Sequence, residues 1–355
     1  MILVDFSAIL YQNLYGSISV VKPQIIDNKY QTSDFIKVTI DFILENLFKY
    51  QNDYQSYGQM VLCIDDHSNL NWRKKYLNTY KFKRKKDRDS SQIKFDEVFN
   101  ETNRLINVLD KYTPFKVVKA KQAEGDDIIL TLTKHFRDRT IILSSDKDMI
   151  QAQIYNPSIV QISPITLKQI TPQTKHANTI SEWLKFHICL GDIADGIPKI
   201  THNIKFSKNF LDYMKKNNYS FDEYTFNSDQ ELRIKVLDNY NIYKVNKSGT
   251  KTELDVFEDF RLGEASLRKK IQQFGTLQNW INSDINLKTN YELNKKLILS
   301  DMIPENIQNE IINNFNKAKI EYNKKEFNNY LKELNLENLL LNLPFNFKSD
   351  FSLEW

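Results

Sequence analysis

Four short apolar runs constrain this chain more than any other feature: "ILV" before Asp5, "MVLCI" before Asp65, "FKVV" at 115–118, and "TIIL" ahead of Ser144. They are short and continuous rather than alternating, which is the pattern of strands buried on both faces. Segments of helical period lie between them. "SDFIKVTIDFILENLFKY" repeats Phe35, Val38, Ile43 and Leu47 on one face with Ser33 as its expected cap, and "DEVFNETNRLINVLDKY" and "EGDDIILTLTKHF" follow. Strand and helix in this alternation predict an α/β fold: a mostly parallel central sheet flanked by helices, with right-handed crossovers. Such sheets bind ligands outside the carboxyl ends of their strands.

Acids stand at those ends. The runs are followed by Asp5, by Asp65, by Glu124, Asp126 and Asp127, and by the close pair Asp146 and Asp148. A further cluster, "GDIADGIP", puts Asp192 and Asp195 three apart on one side of a helical turn, at the end of the apolar helix around "WLKFHICL". An Asp after a strand ordinarily caps the next helix, and acids in a first turn favour the helix dipole. One cap needs one side chain, however, so capping does not account for the whole set. Carboxylates crowded at one edge repel by several kcal/mol unless neutralised, and hard, oxygen-ligated divalent cations are the natural remedy. Two such ions about 4 Å apart are the arrangement that attacks phosphodiesters with metal-bound water.

The modest net charge of +4 hides a basic segment, "WRKKYLNTYKFKRKKDR" from Trp72 to Arg88, in which only Asp87 opposes the cations and Trp72, Tyr76, Tyr80 and Phe82 are interleaved. Such a segment favours polyanions. A basic segment beside an acidic strand edge points to a nuclease. Other classes are disfavoured. No apolar run reaches the roughly 18 residues of a membrane span. The start lacks signal-peptide features, so a cytoplasmic protein is expected. Cys63 and Cys189 lie in apolar segments without metal-ligand spacing, and so do not suggest disulfides or zinc. His67, His135, His176, His187 and His202 also lack such spacing, and 8 glycines form no phosphate loop.

Past Gly196 the composition shifts to Asn, Lys, Ile and Tyr. A small hairpin is expected around "KSGTK", then amphipathic helices from "LGEASLRKKIQQF" through "IPENIQNEIINNFNKA" to "FNNYLKELNLENLLLNL". The expected division is a catalytic α/β domain over 1–200, with the basic segment at about 68–95, and a mainly helical region over 201–355 with its hairpin at about 240–257.

Taken in order, "ILVDFS", "VLCIDD", "WRKKYLNTYKFKR", "EGDDII", "SSDKDM" and "GDIADGIP" resemble the 5′ nucleases: flap endonucleases, the 5′ nuclease domains of bacterial DNA polymerase I, and the ribonucleases H of T-even-like bacteriophages. The resemblance covers roughly residues 1–200 and extends to the later "YELNKKLILSDMIPENIQNEIINNF". It implies a PIN-like core with a helical arch. It also implies Mg²⁺-dependent 5′ to 3′ exonuclease and flap endonuclease activity, with Mn²⁺ able to substitute, that removes RNA primers and adjoining DNA from lagging-strand fragments. By motif position Asp5, Asp65, Glu124 and Asp126 serve a first metal, with Asp126 among the acids whose loss stops chemistry. Asp146, Asp148 and Asp192 serve a second, and Asp127 and Asp195 support through water. The basic segment matches the arch, so Lys81 and Arg84 are the expected contacts to the scissile phosphate. Tyr76 or Tyr80 is expected to stack on a base, and Arg73, Lys74, Lys75, Lys83, Lys85, Lys86 and Arg88 to bind nucleic acid.

Implied partners are forked, flapped or nicked DNA, RNA–DNA duplex and a single-strand-binding protein, for a monomer without membrane association. The tail "SDFSLEW" offers Leu353 and Trp355 either to a sliding clamp or to the helical region's own core. Three departures stand out. "IPKITHNIKFSKNF" lacks the glycines of the family's duplex-gripping hairpin, which implies a looser grip and puts K⁺ binding in doubt. The first strand starts at Ile2, without the extension the phage relatives can carry and the partner docking it supports. Gly196 replaces the usual Asn. The competing readings are a PIN-type ribonuclease and a catalytically silent fork-binding protein.

Overall fold

The computed structural model describes residues 1–66, 68, 70–171, 177, 179–201, 243–245, 251–253, 262–318, 322–344 and 347. Their regular elements are, in order, β1 (Ile2–Asp5), α1 (Phe6–Val21), β2 (Ile25–Ile26), β3 (Lys29–Tyr30), α2 (Thr32–Asp53), β4 (Met60–Ile64), α3 (Phe82–Asp89), α4 (Phe95–Tyr112), β5 (Lys116–Lys119), α5 (Gly125–His135), β6 (Ile141–Leu143), α6 (Ala152–Tyr155) and β7 (Val160–Ile162). They continue with α7 (Ile180–Leu190), β8 (Tyr243–Val245), β9 (Lys251–Glu253), α8 (Glu264–Phe274), α9 (Leu277–Asn282), α10 (Ile285–Ile298), α11 (Glu305–Lys317) and α12 (Lys324–Glu333). The chain divides into two compact units, one of residues 1–72, 86–173 and 303–355, the other of 73–85 and 174–302.

The first unit is built on the parallel sheet that the apolar runs predict, in the order β5-β4-β1-β6-β7. β1 lies at its centre, so the strand order reverses between β1 and β6. Side chains alternate strictly across the strands. Ile2, Val4, Leu62, Ile64, Ile141 and Leu143 join the core shared with α1, α2, α4 and α12. Leu3, Val61, Cys63 and Ile142 join the core shared with α5 and α11. Burial of one such Leu or Ile contributes about 1.5–3 kcal/mol, and covering both faces is why these runs read as continuous rather than alternating. The first core is extended by Phe48, Phe115, Tyr322 and Phe327 ringed around Phe347, which is 1% exposed.

Three details differ from expectation. α2 starts at Thr32 with Gln31 as its cap residue, so Ser33 lies inside the first turn instead of capping it. The segment "FSAILYQNLYGSISVV", not among the helices expected from the sequence, forms α1 directly after β1. A fifth strand, β7, adds to the four anticipated.

In the second unit α7 is capped by Thr179, whose Oγ1 accepts from the Glu182 N–H at 3.1 Å, and it stops at Gly191, with φ 65°. A Cβ at Gly191 would lie 2.4 Å from the carbonyl oxygens of Ile197 and Pro198, so glycine is required there. Asn294 of α10 is fully buried and donates to the Ile188 and Pro198 carbonyls at 2.9 and 2.7 Å, pinning both sides of this turn. β8 and β9 pair antiparallel. The tail with Leu353 and Trp355, the histidines His67, His176 and His202, and most of "THNIKFSKNF" lie outside the described residues. Among the described residues no helix is long and apolar enough to cross a membrane.

Candidate metal centre and basic segment

At the carboxyl end of β1 the chain passes from strand to helix without a loop, and Asp5 is the hinge. Its Oδ1 accepts from the Ala8 N–H at 3.0 Å, capping α1, and its Oδ2 accepts from the Ser144 hydroxyl at 2.8 Å. Asp65, just past β4, is held as closely: Oδ1 accepts from the Gly125 N–H at 2.6 Å and Oδ2 from the Ser7 hydroxyl at 2.8 Å. Gly125 is the first residue of α5, so the positive end of that helix faces the Asp65 carboxylate. A Cβ on Gly125 would lie 3.1 Å from both Asp65 Oδ1 and the Cys63 carbonyl, so the close approach depends on its absence.

Glu124 and Asp126 flank Gly125 at the start of α5, both half-buried. Asp127 differs. It is fully buried, and its Oδ2 accepts from the Glu124 N–H at 2.9 Å and from the Trp72 indole at 3.1 Å, which ties the start of α5 to the residue opening the basic segment. Past β6, Asp146 caps a 3-10 turn over Lys147–Gln151 by accepting from the Asp148 N–H at 2.8 Å. Ser144 links the two strands at the reversal point: its hydroxyl donates to Asp5 and accepts from the Asp146 N–H at 3.1 Å. Gln161 of β7, fully buried, donates to the carbonyls of Ser144 and Asp146 at 3.1 and 2.6 Å.

The electrostatics register this crowding. The buried Cys63 thiol is held well above its ordinary pKa, first by burial and then by the charges of Asp5, Asp126 and Asp65. Three carboxylates from three elements therefore act on one sulfur. Capping and ligation are compatible in this arrangement, because each carboxylate oxygen that accepts one hydrogen bond keeps a second lone pair. The donors Ala8, Ser144, Ser7 and Gly125 fix the orientation of Asp5 and Asp65. The resulting set consists of oxygen donors on rigid strand ends, and it fits a hard divalent cation.

The basic segment, of which Arg73–Lys85 belong to the second unit, opens with a 3-10 turn over Trp72–Lys75. Two of the expected nucleic-acid contacts turn inward. Arg73 is 5% exposed and its Nε donates to the Leu297 carbonyl at 2.8 Å, satisfying the last turn of α10. Tyr80 is 4% exposed, lies beneath the Arg73 guanidinium and the Lys81 ammonium, and donates its hydroxyl to Asp195 Oδ2 at 3.0 Å. Tyr76 is exposed, with Lys296 over its ring. Lys75, Lys83, Arg84, Lys85 and Lys86 are exposed; Lys74, Lys81 and Arg88 are half-buried.

Asp192 and Asp195 share one turn. Asp192 Oδ1 accepts from the Ala194 and Asp195 N–H groups at 2.8 and 3.4 Å. Asp195 meets the basic segment: Arg84 Nη2 at 2.5 Å, Lys81 Nζ at 3.8 Å, and the Lys81 N–H on its carbonyl at 2.9 Å. Lys81 has φ 57°, a left-handed backbone that costs a non-glycine residue about 1–2 kcal/mol. Sequence reasoning singled out the acids but not Ser7, Ser144, Gly125, Trp72 and Gln161, which hydrogen-bond to them or pack at their strand ends. Ser7 lies two residues past Asp5 and Ser144 two before Asp146, and Gly125 lies between Glu124 and Asp126. Gln161 left no local signal.

Residues 1–182 match the family model described as 5′-3′ exonuclease, N-terminal resolvase-like domain. Ribonuclease H of Enterobacteria phage T4 is 33% identical over 117 residues, which is 32% of this chain and 38% of that relative's length. Among solved structures, the T5 D15 protein co-crystallised with metal ions aligns over 94% of this chain and 98% of its own at 11% identity, with a TM-score of 0.49. T5 5′-exonuclease with bound zinc aligns over 90% and 98% at 12% identity, with a TM-score of 0.47. The family match spans 182 of 355 residues and contains every acidic strand end described above; the chain belongs to the 5′-3′ exonuclease family through its N-terminal resolvase-like domain.

Proposed function

We propose that this chain is a Mg²⁺-dependent 5′ to 3′ exonuclease and flap endonuclease that removes RNA primers and adjoining DNA from forked or nicked substrates. The observation that carries the reading is the gathering of Asp5, Asp65 and Asp126 around the ends of β1 and β4 and the start of α5, with Asp5 and Asp65 oriented by hydrogen-bond donors. Family membership supports it.

In this reading Asp5, Asp65, Glu124 and Asp126 hold one Mg²⁺, and Asp146, Asp148 and Asp192 a second; Mn²⁺ fits the same donors. Bound there, the ions supply an activated water and neutralise charge on the phosphodiester. The chain's own residues do the rest. Ser144, Ser7 and the Gly125 N–H keep the carboxylates aimed, and the buried Asp127 fixes the start of α5 and so positions Glu124 and Asp126. Lys81 and Arg84 meet the scissile phosphate and stabilise the charge that develops on it. Exposed Tyr76 stacks on a base, and Lys74, Lys75, Lys83, Lys85, Lys86 and Arg88 attract the backbone without reading sequence.

The test is a gel assay of the purified protein on a 5′-labelled flap and on an RNA-primed nicked duplex, with Mg²⁺ or EDTA. Short labelled products from both, only with Mg²⁺, are expected, and Asp126→Asn is expected to abolish them while flap binding is retained. Turnover by Asp126→Asn would remove that residue from the site. Tight fork binding without cleavage would favour a catalytically silent binding protein.

A further inference from the structure

The family role carried to Asp195 concerns a metal, yet its contacts in the second unit are of another kind. One carboxylate accepts from the Tyr80 hydroxyl at 3.0 Å and pairs with Arg84 at 2.5 Å and Lys81 at 3.8 Å, while the carbonyl of the same residue takes the Lys81 N–H at 2.9 Å. Arg84 Nε also lies 3.4 Å from the Ala194 carbonyl. Every one of these partners comes from the five residues Tyr80–Arg84. Lys81, the second of them, holds a left-handed backbone that non-glycine residues seldom adopt. The pair is not a solvated surface contact of the kind that contributes little, since the Lys81 and Asp195 side chains keep 20% and 17% of their exposure. The turn that offers Asp195 is itself rigid. Asp192 caps it, Asn294 pins its flank, and Gly191 admits no side chain.

We propose that Asp195 is the positioning residue of the basic segment: it holds the strained turn at Lys81 and gathers Tyr80, Lys81 and Arg84, so that a nucleic-acid phosphate meets two cations already set side by side. This rests on the reading of Lys81 and Arg84 as phosphate contacts. The chemistry permits both tasks at once. A guanidinium has five donors and an ammonium three, so each can keep Asp195 and still reach a phosphate oxygen. Strain held at a functional segment by its surroundings is the arrangement expected where geometry must be set before substrate arrives.

The experiment uses Asp195→Asn and Asp195→Glu in the full chain, with Lys81→Ala/Arg84→Ala and the triple variant. In ligand-free protein with EDTA, trypsin is expected to nick the segment 81–88 at least about fivefold faster in Asp195→Asn, with Asp195→Glu restoring much of the protection. On a 5′ flap, Asp195→Asn is expected to bind as tightly as the parent or tighter, because a negative charge is gone. Its single-turnover cleavage should slow by about tenfold to a hundredfold, with an unchanged Mg²⁺ requirement. The triple variant should be no slower than Lys81→Ala/Arg84→Ala. An unchanged tryptic rate overturns the inference whether or not the protein cleaves DNA. A raised Mg²⁺ requirement, with losses that add in the triple variant, overturns it in favour of a metal role. Parent protein that cleaves no flap, alongside faster nicking of Asp195→Asn, fails the functional reading and leaves the positioning role of Asp195 standing.

Discussion

Both oxygens of Asp65 are engaged, one by the Gly125 N–H and the other by the Ser7 hydroxyl, so its orientation is set before any ion arrives. Gly125→Ala would put a methyl group 3.1 Å from Asp65 Oδ1 and turn the carboxylate away. The expected outcome is a folded protein whose Mn²⁺ affinity, measured by calorimetry, falls about tenfold, as with other changes to groups that orient ligands. The thiols give a second check. Burial and the neighbouring carboxylates push Cys63 well up, and burial pushes Cys189 up to about 12. Neither should react with iodoacetamide at pH 8 in the native protein, and both should react in urea, because the thiolate is the nucleophile. At this scale the acids were legible because they follow strand ends. The groups that orient them were not, since Ser144 and Gln161 act from 139 residues beyond Asp5 and 15 beyond Asp146.

Among the elements, α2 shows what local pattern reveals and omits. Its core face of Phe35, Ile43 and Leu47 was readable from helical spacing. Its start was not, because Ser33 has the right residue type two positions past the cap residue Gln31. α1 escaped notice for a different reason: its mostly apolar sequence, interrupted by Gly16 and β-branched residues, gives a weak amphipathic signal. α2 also carries a testable charge. Burial raises the Asp41 carboxyl, with Lys37 only partly offsetting it. A raised folded pKa favours the fold below the unfolded value of about 3.9, and that contribution is lost as pH rises through the folded value. At neutral pH the ionised carboxylate therefore opposes folding. Asp41→Asn should stabilise by at most ~1 kcal/mol in urea melts at pH 7, and the gain should vanish at pH 3. Arg73 makes the complementary point. Its place in a run of cations suggested a phosphate contact, but burial against Leu297 makes it part of the α10 terminus, a role set by residues more than two hundred positions away.

For the molecule as a whole, the sheet was the most legible feature, since strands covered on both faces must be apolar throughout. The edge strand β7, only three residues long, was the least. The exposed cations predict a bulk property. Flap binding should weaken steeply with salt, and Lys83→Ala, Lys85→Ala and Lys86→Ala should each lower the slope of log K against log salt by about one. Arg73→Ala should instead reduce stability with little change in slope. α11 and α12, which complete the two cores of the sheet, lie beyond residue 303, after the whole of the second unit has been made. A ribosome emits the acidic strand ends early and their last supports late. A nascent or truncated chain without α11 and α12 would expose unprotected apolar sheet surface and hold its carboxylates on an unfinished scaffold, so cleavage activity should appear only once both helices have been made.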